Sequence, residues 1–472
     1  MSGGGTEGIA VAVARLNKPV RFGRGFYTEG SMSYIAAIDQ LNAMTPELYA
    51  RSGQPRRKFS IEEIRILLCE LGDPQLRFPS ILIAGTNGKG STAATLASIL
   101  CASGLRTGLY TSPHLARANE RIRLDRMEIA DEAFGAYFFR VHNAAQRLTQ
   151  SGGLPQLPSF FEVLTAQALL YFAEAKVDIA VLEVGMGGRL DATNVVNPLL
   201  SVITDISLDH TEWLGETIAA ITREKAGILR AGGTMITLPQ VEEANEVLSE
   251  VAEELRVRRV NATAYMPRED VVGPYSVEIP GATIEVKSPL SGAHQHRNLA
   301  LAIAAAVELR SVHGLPIAPA AIAEGIRGTQ WPGRLERIQR DGVEWILDVA
   351  HNAAGAWALR AGLLSALAGD RPRSLIFSCL RDKPVQEMAQ ILFPLFQRVI
   401  LAPIHSARAA AQDDMVAAGK AIGITAISTD SVSDALQLAK EGTRGGSIVV
   451  SGSVYLVGEA RSLLLAGKVD QP

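Results

Sequence analysis

Apolar positions in this chain switch repeatedly between a helical period and short continuous runs. Tyr34–Met44 and Ile61–Leu71 space their apolar residues three and four apart, which predicts helices. Ile81-Leu82-Ile83-Ala84 is a short apolar run that ends in a Gly-rich turn, and Ser91–Ala102 then reads as a helix. Asp178–Val184 and Leu200–Thr204 read as buried parallel strands bounded by turn residues. Thr217–Leu229, Val241–Leu255 and the Ala-rich Arg297–Leu309 read as helices. Residues 260–290 differ: Pro267, Gly273, Pro274, Pro280 and Gly281 punctuate short alternating runs, which predicts a small antiparallel excursion. Gly and Pro then cluster around Trp331, and Gly325–Gly333 reads as a linker. Beyond it, Trp345–Val349, Ser374–Cys379, Val399–Leu401 and Ser447–Val450 are strand-like with helical patterns between them. The alternation predicts two successive α/β domains, at 32–328 and 329–472, behind a poorly ordered extension at 1–31. Met32 is a second plausible start, because patterned sequence begins just after it.

Composition narrows the class. A net charge of −3 gives no nucleic-acid footprint, which would be strongly basic. No apolar run reaches the roughly 18 residues of a membrane span. Cys69, Cys101 and Cys379 are too few and too scattered for a disulfide framework or a zinc site, as expected of a reducing compartment. Met1-Ser2-Gly3-Gly4-Gly5 does not open a secretory signal, so a cytoplasmic location is expected.

The central motif is Gly85-Thr86-Asn87-Gly88-Lys89-Gly90-Ser91, set between the strand and the helix. Glycines let a backbone wrap phosphate oxygens, the helix start offers free N–H groups, and Lys89 adds a charge near the β/γ-phosphates. The motif departs from the strict phosphate-loop pattern: Ile83 stands at the first Gly, and Gly90 follows the lysine. Alone it leaves kinases, GTPases and ligases open.

Ser112 follows a strand-like Gly108–Tyr110, Glu183 ends another strand, and His210 lies beyond a third. Ligands gather at the carboxyl ends of parallel strands, so these three are expected near the phosphate loop. One Glu, one Ser and nucleotide oxygens suit Mg²⁺, whereas imidazole is less typical for it. By residue type alone Lys225 is a solvated helix lysine, and Gln295 and Asn298 cap the Ala-rich helix rather than contact a base.

Taken together, these motifs resemble the dihydrofolate synthase/folylpolyglutamate synthase family of the Mur ligase superfamily. They are joined by Asn119-Glu120-Arg121-Ile122, Leu182-Glu183-Val184-Gly185, Asp209-His210-Thr211, Glu224-Lys225-Ala226-Gly227-Ile228, Pro332-Gly333-Arg334-Leu335-Glu336 and Ala350-His351-Asn352. The likeness runs from about residue 33 to about residue 461. It implies a P-loop Mur-ligase-type ATPase domain followed by a smaller Rossmann-like α/β domain, with ATP between them.

The resemblance implies that Gly85 to Ser91, with Asn298, Arg334 and Asp348, hold ATP. Ser112 and Glu183 would hold one Mg²⁺, and Glu183 with His210 would help place a second; a monovalent cation is a further expectation. Lys225 would be carbamylated. Ser159, Phe160, Phe161, Glu162 and Asp191 would face a pteroate or folate, with Phe160 or Phe161 stacked on its ring. Lys89, Lys225 and His351 would be catalytic, His351 by binding glutamate or moving protons. The implied reaction joins L-glutamate to dihydropteroate or a reduced folate through an acyl phosphate, in a monomer with no nucleic-acid or membrane partner. Two positions depart from the family pattern: Ser159 replaces Thr, and Val349 replaces Gly beside Asp348.

Three rival readings remain at this point: another Mur-type ligase, a regulatory P-loop NTPase, and a nonenzymatic interaction protein. About 84 residues precede Gly85, too few for the extra N-terminal domain of ligases that act on cell-wall nucleotides. A second α/β domain supplying Arg334 and Asp348 favours closure on a further substrate over a nucleotide switch.

Overall fold

In the computed structural model, residues 20–21, 26–27, 29–44, 60–268, 271, 273–366, 372–443 and 445–466 are described. The reading of 1–31 as poorly ordered falls largely on residues outside this set. The helix expected from Tyr34 runs Glu29–Ala43, so the boundary drawn at 31/32 falls inside a helix. Gly30, Ser31 and Ser33 carry too little apolar signal to reveal that first turn.

The larger sheet has eight strands in the order Arg258–Asn261, Thr234–Thr237, Leu200–Ile203, Ser80–Ala84, Ile179–Glu183, Thr107–Tyr110, Ile122–Leu124, Met127–Glu128. The first six are parallel and the last two add antiparallel. Ser80–Ala84 is buried along its whole length. Successive side chains of a strand point to opposite faces, so Ile81 and Ile83 enter one core while Leu82 and Ala84 enter the other. The first core is roofed by Lys89–Ala102, His294–Ser311 and Pro319–Arg327, the second by Asp131–Gln150 and Phe160–Ala175. The expected antiparallel excursion is the hairpin Tyr275–Ile279 with Ala282–Val286.

The smaller sheet has six strands in the order Glu336–Arg340, Val343–Leu347, Ser447–Ser451, Arg373–Phe377, Arg398–Leu401, Ala426–Ser428. All pairs are parallel except the first. It too is packed on both faces, with Leu375 and Phe377 in one core and Ile376 in the other.

The expected linker Gly325–Gly333 is shorter in the structure, because helix Pro319–Arg327 continues through Gly325. A Cβ on Gly325 would lie 2.3 Å from Ile99 Cα, so this glycine permits two helices to cross at backbone contact. Ser98 Oγ donates to Gly325 O across the crossing at 2.6 Å. The larger and smaller units meet where a Cβ on Gly458 would lie 1.9 Å from Leu115 O. Among the described residues, no helix is long and apolar enough to cross a membrane.

Candidate active site

Four adjacent parallel strands end at one cleft of about 560 Å³. Ser80–Ala84 delivers the phosphate loop, Thr107–Tyr110 delivers Ser112, Ile179–Glu183 delivers Glu183, and Leu200–Ile203 delivers the segment to His210. Arg334, Asp348 and His351 line the same cleft from the smaller sheet, and Lys225 and Asn298 from helices of the larger one. The convergence expected of Ser112, Glu183 and His210 is therefore present.

The phosphate loop is held by its neighbour strand. Thr86 N and Asn87 N donate to Asp205 O at 2.8 and 3.2 Å. Thr86 Oγ1 donates to Ser207 O at 3.0 Å and accepts from Ser207 N at 3.1 Å. Asp205 is fixed in turn by the Arg297 guanidinium, at 2.8 and 2.9 Å from its two oxygens. Gly88 has φ 88°, and a Cβ there would lie 2.1 Å from Asn298 Oδ1. The glycine thus permits both the left-handed turn and the close approach of Asn298. Helix His294–Ser311 starts three residues before the expected Arg297, so Gln295 and Asn298 sit inside it and do not cap it. They bond each other instead, Asn298 Nδ2 to Gln295 Oε1 at 2.8 Å.

Two lysines share one carbonyl. Lys89 Nζ donates to Gly85 O and Thr86 O, both at 3.1 Å, and Lys225 Nζ donates to Gly85 O at 2.8 Å. Lys225 is buried, not solvated as its residue type suggests. Burial, then the Lys89 ammonium beside it, lowers its pKa to about 7. Burial also lowers Lys89, against the pull of Glu183 and Asp209. Glu183 is pushed up by burial, against the field of Lys89, and accepts from Ser112 N at 3.0 Å.

On the smaller-sheet side, Asp348 accepts from Leu335 N and Ala350 N, each at 2.9 Å, and so ties the Arg334 turn to the strand end. Val349 does not adopt a positive φ and its N–H donates to Gly333 O at 3.0 Å, so a β-branched residue is accommodated there. His351 Nδ1 lies 2.8 Å from Val349 O, which assigns the proton to Nδ1 and leaves the Nε2 lone pair free. Burial and then Lys383 lower its pKa to about 4, so the ring is neutral at pH 7.

Residues 333–454 match the Mur ligase, glutamate ligase domain, and residues 83–306 the Mur ligase middle domain. A folylpolyglutamate synthase of Lacticaseibacillus casei is 35% identical over 450 residues, covering 94% of this chain and 99% of its own. A dihydrofolate synthase/folylpolyglutamate synthase of Bacillus subtilis (strain 168) is 34% identical, covering 87% of this chain and 96% of its own. The chain belongs to the dihydrofolate synthase/folylpolyglutamate synthase family. The solved structure of a Mycobacterium tuberculosis folylpolyglutamate synthase, complexed with ADP and AMPPCP, superposes with a TM-score of 0.82 at 33% identity, covering 92% of this chain and 99% of that one.

The residues expected on the folate side of this family fold are mostly committed elsewhere. Ser159 and Glu162 cap helix Phe160–Ala175 reciprocally: Glu162 N donates to Ser159 Oγ at 3.3 Å, and Ser159 N donates to Glu162 Oε2 at 2.7 Å. Serine keeps the hydroxyl this cap needs. Phe161 is buried, and a Cβ on Gly185 would lie 2.5 Å from its ring. Phe160 is less buried, with the Arg121 guanidinium 5.1 Å from its ring centroid. Asp191 orders the turn after Glu183, accepting from Met186 N and Thr193 N at 2.9 Å each.

Sequence reasoning missed two residues of the cleft, Asp205 and Arg297, and the pairing of Asp209 with Lys383. Asp205 and Arg297 brace the phosphate loop, and Asp209 and Lys383 pair across the units at 2.6 Å. Asp209 stands in a quoted motif and Lys383 follows a strand of the smaller sheet, but no spacing rule links positions so far apart.

Proposed function

We propose that this chain is an ATP-dependent ligase that joins L-glutamate to dihydropteroate, to reduced folates, or to both, with release of ADP and phosphate. Relatives named folylpolyglutamate synthase and dihydrofolate synthase support the substrate class. The observation that carries the mechanism is the cleft itself: a phosphate loop with two lysines on one wall faces Arg334, Asp348 and a neutral His351 on the other. We take 32–328 as the ATP-binding unit, with the helix beginning at Glu29 attached to it, and 329–472 as the unit that closes over it.

A carboxylate does not acylate an amine unaided, because oxide is a poor leaving group. Its oxygen attacks the γ-phosphorus of ATP, ADP leaves, and an acyl phosphate forms. The glutamate amine then attacks the acyl carbon and displaces phosphate. Lys89 is the first residue of the helix after the loop, where its ammonium stabilises charge on the transferring group. Arg334 supplies a second cation from the smaller-sheet side, and Asn298 contacts the nucleotide beside Gly88. His351, whose Nδ1 faces Val349 O, would bind the glutamate or take the proton its amine loses at Nε2. Closure of the cleft excludes the water that would otherwise hydrolyse the acyl phosphate.

The donor set fits Mg²⁺. Ser112 and Glu183 end adjacent strands, and the buried Glu183 carboxylate calls for a cation partner. Among the described residues no three His, Cys, Asp or Glu side chains cluster as a metal site, which suits an ion completed by phosphate and water. Ser112 and Glu183 would hold one ion, and Glu183 with His210, neutral at a pKa of about 3, would help place a second. Bound there, Mg²⁺ supplies charge neutralisation to the phosphates. A pKa of about 7 leaves much of Lys225 as the free amine that carbamylation by CO₂ requires. Phe160 is the ring better exposed for stacking on a pterin or aminobenzoyl group.

The mechanism is tested with substrate labelled by ¹⁸O in its carboxylate. Label in the released phosphate is expected; label retained wholly in the amide or returned carboxylate excludes the acyl phosphate.

A further inference from the structure

Asn87, Asp209, Asn352 and Lys383 form one polar cluster that joins the two units. Asn87 belongs to the phosphate loop, and Asp209 follows the neighbouring strand. Asn352 starts the helix after Val343–Leu347, and Lys383 lies in the loop after Arg373–Phe377, both on the smaller sheet. Lys383 Nζ donates to Asp209 Oδ1 at 2.6 Å, with the lysine side chain 4% exposed. Asn352 Nδ2 donates to Asp209 Oδ2 at 3.0 Å and to Asn87 Oδ1 at 3.2 Å. Its Oδ1 accepts from Gly355 N at 2.7 Å. Both amide hydrogens of a buried Asn352 are therefore spent on the opposite unit.

This cluster differs from an ordinary surface ion pair. Asn352 and Lys383 are buried, so the Asn352 amide hydrogens and the Lys383 ammonium keep these partners only while the units hold this relative position. It also sits between the two halves of the chemistry. One end is Asn87, two residues before Lys89; the other is Asn352, next to His351, whose Nε2 lies 3.8 Å from Asp209 Oδ2. The ammonium that pairs with the Asp209 carboxylate is Lys383, at 2.6 Å.

We propose that this cluster is the lock that registers the smaller unit on the phosphate loop, so that Lys383 and Asn352 are positioning residues for transfer of the acyl group to glutamate. The proposal rests on the ligase reading above. The lock holds His351 beside the phosphate loop while the acyl phosphate exists. Loosening it lets water compete with the amine: water attacks the acyl carbon, the carbon–oxygen bond to phosphate breaks, and carboxylate, inorganic phosphate and a proton result. Phosphoryl transfer from ATP continues, but amide formation does not keep pace.

The test measures glutamylated product per phosphate released, together with ADP affinity, for the wild type, Lys383→Met and Asn352→Ala. Asn352→Ala cuts the link to Asn87 and leaves the Asp209–Lys383 pair in place, so it stands alone if Lys383→Met does not fold. The wild type is expected near one product per phosphate. Both variants are expected to fall below about one half, with ADP affinity within about threefold. A folded variant that stays at the wild-type ratio overturns the lock, as does a loss of ADP affinity matching the loss of rate. A wild type that makes no glutamylated product overturns the ligase reading itself.

Discussion

Gly88→Ala tests how the phosphate loop is built. Gly88 has φ 88° and ψ −10° just ahead of helix Lys89–Ala102. An L-residue in that region costs roughly 1–2 kcal/mol. The new Cβ would also lie 2.1 Å from Asn298 Oδ1 and 3.0 Å from its Cγ. Asn298 is buried and bonded to Gln295 at 2.8 Å, so moving it aside forfeits that bond, about 1 kcal/mol. Together these give about 2–3 kcal/mol. If nucleotide binding requires the loop as it stands, ADP affinity falls by about 30- to 140-fold, at about 1.4 kcal/mol per tenfold. Gly104→Ala is the control: its φ is +80°, but a Cβ there meets nothing within 4 Å. Titration calorimetry with ADP on both variants separates strain from contact. Gly104→Ala is expected to bind as the wild type does; Gly88→Ala within about threefold of wild type refutes the reasoning.

Glu183→Gln keeps the shape of the side chain and strips its charge. It is expected to leave thermal stability unchanged or higher, while ligase activity drops at least about 100-fold across a magnesium titration. Carbamylation of Lys225 should rise as pH increases through about 7, because its folded pKa lies there and only the neutral amine reacts with CO₂. Carbon-13 NMR with labelled bicarbonate between pH 6 and 8 reads this directly, and a signal that does not grow with pH, or survives Lys225→Met, counts against it. Gly325→Ala would force helices Lys89–Ala102 and Pro319–Arg327 apart and should cost about 1–3 kcal/mol, seen as a lower melting temperature.

The parts of the fold legible in the sequence are those whose signal is local. Ser80–Ala84, Ile179–Glu183 and Leu200–Ile203 are buried on both faces, and a continuous apolar run announces such a strand. Edge strands are quieter. Glu336–Arg340 contributes only Ile338 to a core and Arg258–Asn261 is mostly exposed, so neither shows a run. Gly325 misled for a related reason: composition cannot tell a linker glycine from one that lets helices touch. At the site, the motif residues were placed correctly at strand ends, because that rule depends only on strand order. Contacts between distant segments were not legible. Gly88 meets Asn298, and Asp209 meets Lys383 and Asn352, and only the folded topology supplies those meetings.

ATP-dependent incorporation of labelled glutamate, with dihydropteroate and tetrahydrofolate offered separately, tests the central claim most directly. Incorporation with at least one of them, matched by ADP and phosphate release, is the predicted result. No incorporation with either, by folded protein that binds ATP, would contradict the folate assignment.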